Sequence, residues 1–248
     1  MSLQIKNLSK KFKEDDFSIL QNIDLEIKSG EFVCVVGTSG CGKSTLLNIV
    51  SGLEQATSGE VLLDGEVITK PGADRTVMFQ DHGLFPWLNV IDNVKFGMKM
   101  HNVPKDVQQE KAEYFLDLVG LSKYKYYAIH QLSGGMRQRT ALARALTMDS
   151  KVLLMDEPFA SLDKQTSNYL REELQRIWME TKRTIFFITH SVEEAIYLAD
   201  KVVVLSPHAK GVSDIINVDL PRPRHVYSSE FIELRHRVLD EVKGVKSV

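Results

Sequence analysis

FVCVVGTSGCGKSTLLNIV, residues 32–50, runs from an apolar segment through a glycine-rich turn into a stretch that reads as helix. An apolar run without polar alternation suits a strand covered on both faces. The turn, GTSGCGKST at 37–45, fits the pattern G-x-x-x-x-G-K-[ST]. In that pattern glycines let the backbone curl until its N–H groups converge on phosphate oxygens, and the following helix adds the positive end of its dipole. Gly37, Thr38, Ser39, Gly40, Cys41, Gly42, Lys43, Ser44 and Thr45 are therefore a candidate phosphate cradle. Lys43 is expected to reach the β- and γ-phosphates of a nucleotide, and Ser44 to bind Mg²⁺.

Three more apolar runs of the same habit follow and read as further buried strands: KVLLMD (151–156), TIFFIT (184–189) and KVVVL (201–205). Between them Leu170, Leu174, Ile177 and Trp178 keep the spacing of one helical face. Ser191 and Glu194 form a capping-box pattern before Ala195 and Ile196. Strands alternating with helices predict an α/β core. Toward the N-terminus the habit changes. Ile23, Leu25 and Ile27 alternate with charged residues, and EVLLDGEVI (60–68) folds around an Asp64–Gly65 turn, so antiparallel β structure is expected there. Residues 88–147 read as a helical insert, with Val107, Tyr114, Phe115, Leu118 and Val119 on one face. These readings divide the chain into a core (1–87 and 148–220), a helical subdomain (88–147) and a tail (221–248) that opens with PRPR and carries a short helix.

The 248 residues are enough for one large domain or a core with a subdomain. A formal net charge of −2 gives no overall reason to expect nucleic acid or an anionic bilayer as partner. The two cysteines, Cys34 and Cys41, fit neither a disulfide framework nor a zinc site, which points to a reducing cytosol. No apolar run approaches the roughly 18 residues of a membrane span.

A second element should hold the metal from the far side. Asp156 ends a hydrophobic strand and suits a metal ligand through water. Adjacent strand side chains face opposite ways, so Glu157 meets the same nucleotide only where the chain leaves the sheet. Pro158 cannot extend the ladder and is expected to hold Glu157 extended, aimed at the γ-phosphate as a general base.

HQLSGGMRQR (130–139) offers another place for phosphate: Ser133 as N-cap, with Gly134 and Gly135 exposing the first N–H groups of a helix. The order GTSGCGKST, Gln80 in VMFQD, LSGGMRQR, LLMDEP, SLD at 161–163 and His190 in ITHS resembles that of ATP-binding cassette (ABC) ATPases. The resemblance covers nearly the whole chain. It implies a P-loop NTPase (RecA-like) α/β core with an antiparallel β subdomain and an inserted α-helical subdomain.

It also implies a dimer of cassettes stacked head to tail, each ATP lying between one P-loop and the other subunit's Ser133, Gly134 and Gly135. By the same resemblance Gln80 touches Mg²⁺ or the attacking water, Asp163 communicates across the dimer, and His190 reaches the γ-phosphate. Phe12 stacks on adenine, with Phe17 as the other choice. A helix end contributes only about 0.3–1 kcal/mol to holding a charge, whereas micromolar association needs about 8 kcal/mol. Closure must therefore draw on both nucleotides and be reversible once the γ-phosphate is lost.

Phe85, Pro86 and Trp87 make an apolar knot after Gln80, where this family docks its membrane permease. This stretch and PRPRHVYSSEFIELRHRVL are similar to the ATPases of nitrate, sulfonate, taurine and pyrimidine-precursor importers. The implied setting is peripheral, on the cytoplasmic face of the inner membrane, with a solute-binding protein as indirect partner and no nucleic acid. Cassettes of DNA repair or chromosome organisation are the other reading. Those usually carry a long coiled-coil or zinc insert, and this sequence has neither.

Overall fold

The computed structural model describes residues 2–12, 18–206 and 211–244. In chain order the elements are β1 (Ser2–Lys11), β2 (Ser18–Lys28), β3 (Phe32–Gly37), α1 (Lys43–Ser51), β4 (Ser58–Leu63), β5 (Glu66–Val67), β6 (Arg75–Met78), α2 (Val90–Met100) and α3 (Lys105–Leu118). There follow α4 (Gly134–Leu146), β7 (Val152–Asp156), α5 (Lys164–Thr181), β8 (Thr184–Ile188), α6 (Val192–Leu198), β9 (Lys201–Ser206), β10 (Gly211–Asn217) and α7 (Ser229–Lys243). They form two compact units, one of Met1–Arg75 with Thr181–Val248 and one of Thr76–Glu180.

The first unit contains the expected antiparallel subdomain, a four-stranded sheet in the order β2-β1-β4-β5. Ile23, Leu25 and Ile27 point into its core, as their alternation requires. Asp64 (φ 55°) and Gly65 (φ 84°) turn the β4–β5 hairpin with two left-handed residues, the geometry that matches strand twist. In the same unit β3 lies between β8 and β9 and runs parallel to both, while β10 returns antiparallel to β9. Every residue of β3 and β8 is buried, which explains why both are apolar but for Thr184 at the start of β8, whose hydroxyl accepts the Gly30 N–H at 3.0 Å.

The PRPR segment is a staple for the end of α6. Arg224, 4% exposed, donates to the carbonyls of Ile196, Tyr197 and Ala199 as well as those of Val218 and Leu220. Arg222 donates to the Leu198 carbonyl and to Asp200 Oδ1 at 2.7 Å each. Together they satisfy carbonyls that a helix end leaves orphaned. Beyond them α7 buries Phe231 and Val238, while Leu234, Leu239 and Val242 are half-buried.

In the second unit β6 and β7 are hydrogen-bonded neighbours and α2, α3 and α4 pack together. α3 buries Ala112, Phe115, Leu116 and Leu118. Tyr114, expected on that face, instead points outward, edge-on to Phe115 and in reach of Arg176. Its hydroxyl makes this position tolerant of water, and Ala112 and Leu116 fill the interior in its place.

Candidate active site

In the first unit the phosphate loop leaves the C-terminal end of β3. Gly37 sits so close to β9 that an added Cβ would lie 2.4 Å from the Leu205 carbonyl oxygen and 2.7 Å from Cys41 Sγ. Gly40 is needed for a different reason: it adopts φ 77° with open space around it. Lys43, almost fully buried, donates from Nζ to the carbonyls of Gly37 and Thr38 at 3.0 Å each, so its ammonium lies within the curl of the loop. Ser44 is exposed on the first turn of α1. The N-cap of that helix, Gly42, offers no side-chain acceptor, and its first turn carries no acidic residue. Burial pushes the Cys41 thiol up, with Lys43 pulling the other way, so it stays a protonated filler of the loop.

His190 emerges from β8 beside this loop's strand, since Val35 of β3 is in register with Ile188. Its neighbours are fixed: Thr189 Oγ1 donates to Glu194 Oε2 at 2.6 Å and accepts the Ser191 N–H at 3.0 Å. Ser191 caps α6 as the sequence suggests, but the acidic partner of the box works through the threonine hydroxyl. Phe12 is exposed at the end of β1, with the Lys10 ammonium 4.8 Å from its ring centroid. Phe17 lies outside the described residues.

The second unit holds the remaining candidates. Asp156 is buried at the end of β7 and Glu157 is half-buried one residue on. Glu157 is not extended. Its φ is 47°, in the left-handed region, so the chain leaves the sheet immediately after Asp156. A turn closes here, with Ala160 N–H donating to the Glu157 carbonyl at 3.2 Å, and that reversal overrides the preference that Pro158 imposes on its neighbour. Asp163, exposed, accepts the Thr166 N–H at 3.0 Å in the manner of a helix N-cap for α5.

Ser133 caps α4, accepting the Met136 N–H at 3.3 Å, and no acidic residue occupies the helix's first turn. A Cβ built at Gly134 would meet nothing within 4 Å, and the residue is not at positive φ. Among the described residues neither backbone conformation nor packing calls for glycine there. Gln80 is exposed two residues beyond β6. The turn that follows is held by Arg144 of α4, which donates to the carbonyls of His82 and Gly83 at 2.8 Å each. Phe85 packs at a tilt of 43° against both Phe96 and Trp87, with centroids 4.2 and 5.5 Å away, and Trp87 is 74% exposed. The apolar knot is therefore an outward-facing platform and Trp87 is not part of a core.

Gln138, Arg144, Thr189 and Arg224 escaped the sequence reading. Gln138 left a trace: it stands in phase with buried Ala141, Leu142 and Ala145, where a polar residue demands a partner.

A family model described as ABC transporter matches residues 20–160. An uncharacterized ABC transporter ATP-binding protein of Methanocaldococcus jannaschii is 47% identical over 98% of this chain and 92% of its own. The nitrate import ATP-binding protein NrtD of Synechocystis is 45% identical over 89% of this chain and 84% of its own. The aliphatic sulfonates import ATP-binding protein SsuB of Bacillus cereus is 40% identical, covering 97% and 96%. Among solved structures, a dimeric ATP-binding cassette in a post-hydrolysis state, bound to ADP and Pi, superposes with a TM-score of 0.80. It shares 28% identity and covers 88% of this chain and all of its own. The chain belongs to the ABC transporter family. It is one of that family's ATPase subunits, with the P-loop α/β fold, antiparallel β subdomain and helices of a cassette.

Proposed function

We propose that the chain is the ATP-hydrolysing subunit of an importer for a small solute such as nitrate, a sulfonate, taurine or a pyrimidine precursor. Two copies close head to tail on two ATP molecules, and the cycle of closure and release drives a separate permease that docks on the Gln80–Trp87 surface. A solute-binding protein delivers the cargo, and the subunit sits on the cytoplasmic face of the membrane. Among the described residues no helix is long and apolar enough to cross a bilayer. The names of the nitrate and sulfonate import relatives support the cargo class.

In this reading the phosphate loop from Gly37 to Thr45 cradles the phosphates, Lys43 neutralises charge on the β- and γ-groups, and Phe12 stacks on adenine. Glu157 orients or deprotonates the water that attacks the γ-phosphorus as the bond to ADP breaks. His190 and Gln80 reach the γ-phosphate and the water. Asp163 and the Ser133–Gly134–Gly135 turn engage the other copy's site. Ser44, Gln80 and Asp156 offer hydroxyl, amide and carboxylate oxygens, the hard donors that suit Mg²⁺. When bound, that ion would neutralise charge developing on the phosphates.

The observation that carries the head-to-tail reading is Gly134, a glycine at a capped helix start whose smallness no packing among the described residues requires. The test is Glu157→Gln loaded with MgATP. It should bind nucleotide, lose turnover by roughly 10²–10⁴-fold, and run as a dimer on a sizing column; adding Ser133→Arg should return it to monomer. A double variant that dimerises as well as the single one overturns the head-to-tail arrangement. Turnover stimulated by DNA, without copurification of an integral membrane protein, overturns the importer.

A further inference from the structure

Gln138 lies near the start of α4 and is 1% exposed. Its Nε2 donates to the backbone carbonyl of Glu157 at 3.1 Å, the carbonyl that also receives Ala160 N–H. The acceptor fixes which end of the amide is nitrogen, because a flipped side chain would set oxygen against oxygen. Gln138 Oε1 is buried and has no hydrogen-bond partner among the described residues. The fold thus tolerates an unsatisfied acceptor in order to keep a donor on this one carbonyl, where an apolar side chain would fill the space without that cost. Glu157 itself is held at φ 47°, a conformation unfavourable for a side-chain-bearing residue and kept only where the surroundings dictate it.

We propose that Gln138 is a positioning residue for ATP hydrolysis: through its bond to the Glu157 carbonyl it fixes the peptide that aims the Glu157 carboxylate. The inference rests on Glu157 acting as proposed above. It has a consequence for the dimer. Ser133, Gly134 and Gly135 begin the same rigid helix, and Gln138 follows Gly135 by about 4.5 Å of rise. A γ-phosphate engaging that helix start in one composite pocket therefore bears directly on the donor that sets Glu157 for the other. The link joins the two pockets through a single helix and a single hydrogen bond.

The experiment uses the full chain with Gln138→Leu and Gln138→Glu, measuring kcat and KM for MgATP across pH 6–9 (about). Gln138→Leu should lower kcat by about 10–100-fold, a part of what a placed base supplies, with KM within about twofold. In Gln138→Glu an ionised carboxylate has no proton to donate and opposes the carbonyl, whereas the protonated acid restores the donor. Its burial raises its pKa, so its kcat should climb as pH falls, a trend absent from the wild type and from Gln138→Leu. Wild-type kcat in Gln138→Leu overturns the proposal. So does a Gln138→Glu profile parallel to wild type, which remains decisive if the leucine variant fails to fold. Undiminished turnover in Glu157→Gln would instead bring down the reading of Glu157 on which this rests.

Discussion

Thr189 and Glu194 are joined by a 2.6 Å hydrogen bond in which the threonine hydroxyl donates to the carboxylate. The same hydroxyl accepts the Ser191 N–H, so the residues on either side of His190 are tied through one oxygen. Thr189→Val conserves shape and removes that oxygen, leaving a donor and an acceptor each short of a partner. The expected cost is about 1–3 kcal/mol. At roughly 2–4 °C per kcal/mol for a chain of this size, calorimetry should record a fall of about 2–12 °C. Turnover should fall more than stability at the assay temperature explains, because His190 loses its fixed direction. Unchanged melting and unchanged kcat would refute this role.

Asp163 supplies a prediction about pH. Hydrogen bonds from Thr166, first from its side chain and then from its backbone N–H, hold the carboxyl below the usual carboxylate range. A folded-state value below the unfolded value near 3.9 stabilises the fold above that pH, and the stabilisation is lost as pH falls through the folded value. Asp163→Asn keeps an acceptor and removes the charge. Its melting temperature should lie below wild type at neutral pH, and the gap should close below about pH 4. A gap that widens on acidification would contradict the assignment.

The sequence made the core legible because local patterns determine it. The apolar runs of β3, β7, β8 and β9, the Asp64–Gly65 turn and the Ser133 cap each depend on residues adjacent in the chain. What it concealed was long-range. Gln138 reaches a carbonyl 19 residues away, Arg144 reaches carbonyls 61 and 62 residues away, and Arg224 reaches back 28 residues to Ile196. No periodicity announces such pairs, since each depends on where a backbone oxygen falls after folding. Glu157 illustrates the converse: a sound local rule about residues before proline is overruled by a turn whose closing bonds come from Ala160 and Gln138.

Arg224 should prove among the costliest positions to truncate outside the site. It is buried, and desolvation, with Arg222 beside it, lowers its pKa to about 10, which still leaves it charged at neutral pH. Arg224→Met would strand several buried carbonyls at the end of α6 at once. With each orphaned group costing about 1–3 kcal/mol, a loss of at least about 3 kcal/mol is expected. Arg224→Lys should rescue little, because an ammonium lacks the planar fork that reaches carbonyls on both sides. Denaturant melts of the two variants decide this; a near-wild-type midpoint for Arg224→Met would show that water replaces the guanidinium, and one for Arg224→Lys that an ammonium serves in its place.

Arg144 governs the surface proposed to receive the permease. His82 at φ 63° and Gly83 at φ 53° form a left-handed turn whose carbonyls both point to the guanidinium, which also lies 5.6 Å from the Phe85 ring centroid. Arg144→Met keeps an unbranched apolar stem and abolishes both bonds. The turn should then open locally while α4 stays folded, since neighbouring Ala143, Ala145 and Leu146 remain buried. Losing about 1.4–2.8 kcal/mol of local stability corresponds to about 10–100-fold faster amide exchange across residues 82–88. ATP hydrolysis by the detached subunit should change less than hydrolysis in the assembled transporter, where the Phe85–Trp87 platform must present one fixed shape. Exchange in that segment at the wild-type rate would mean that Asn93, which bonds the Phe85 N–H and carbonyl from α2, suffices to hold the platform alone.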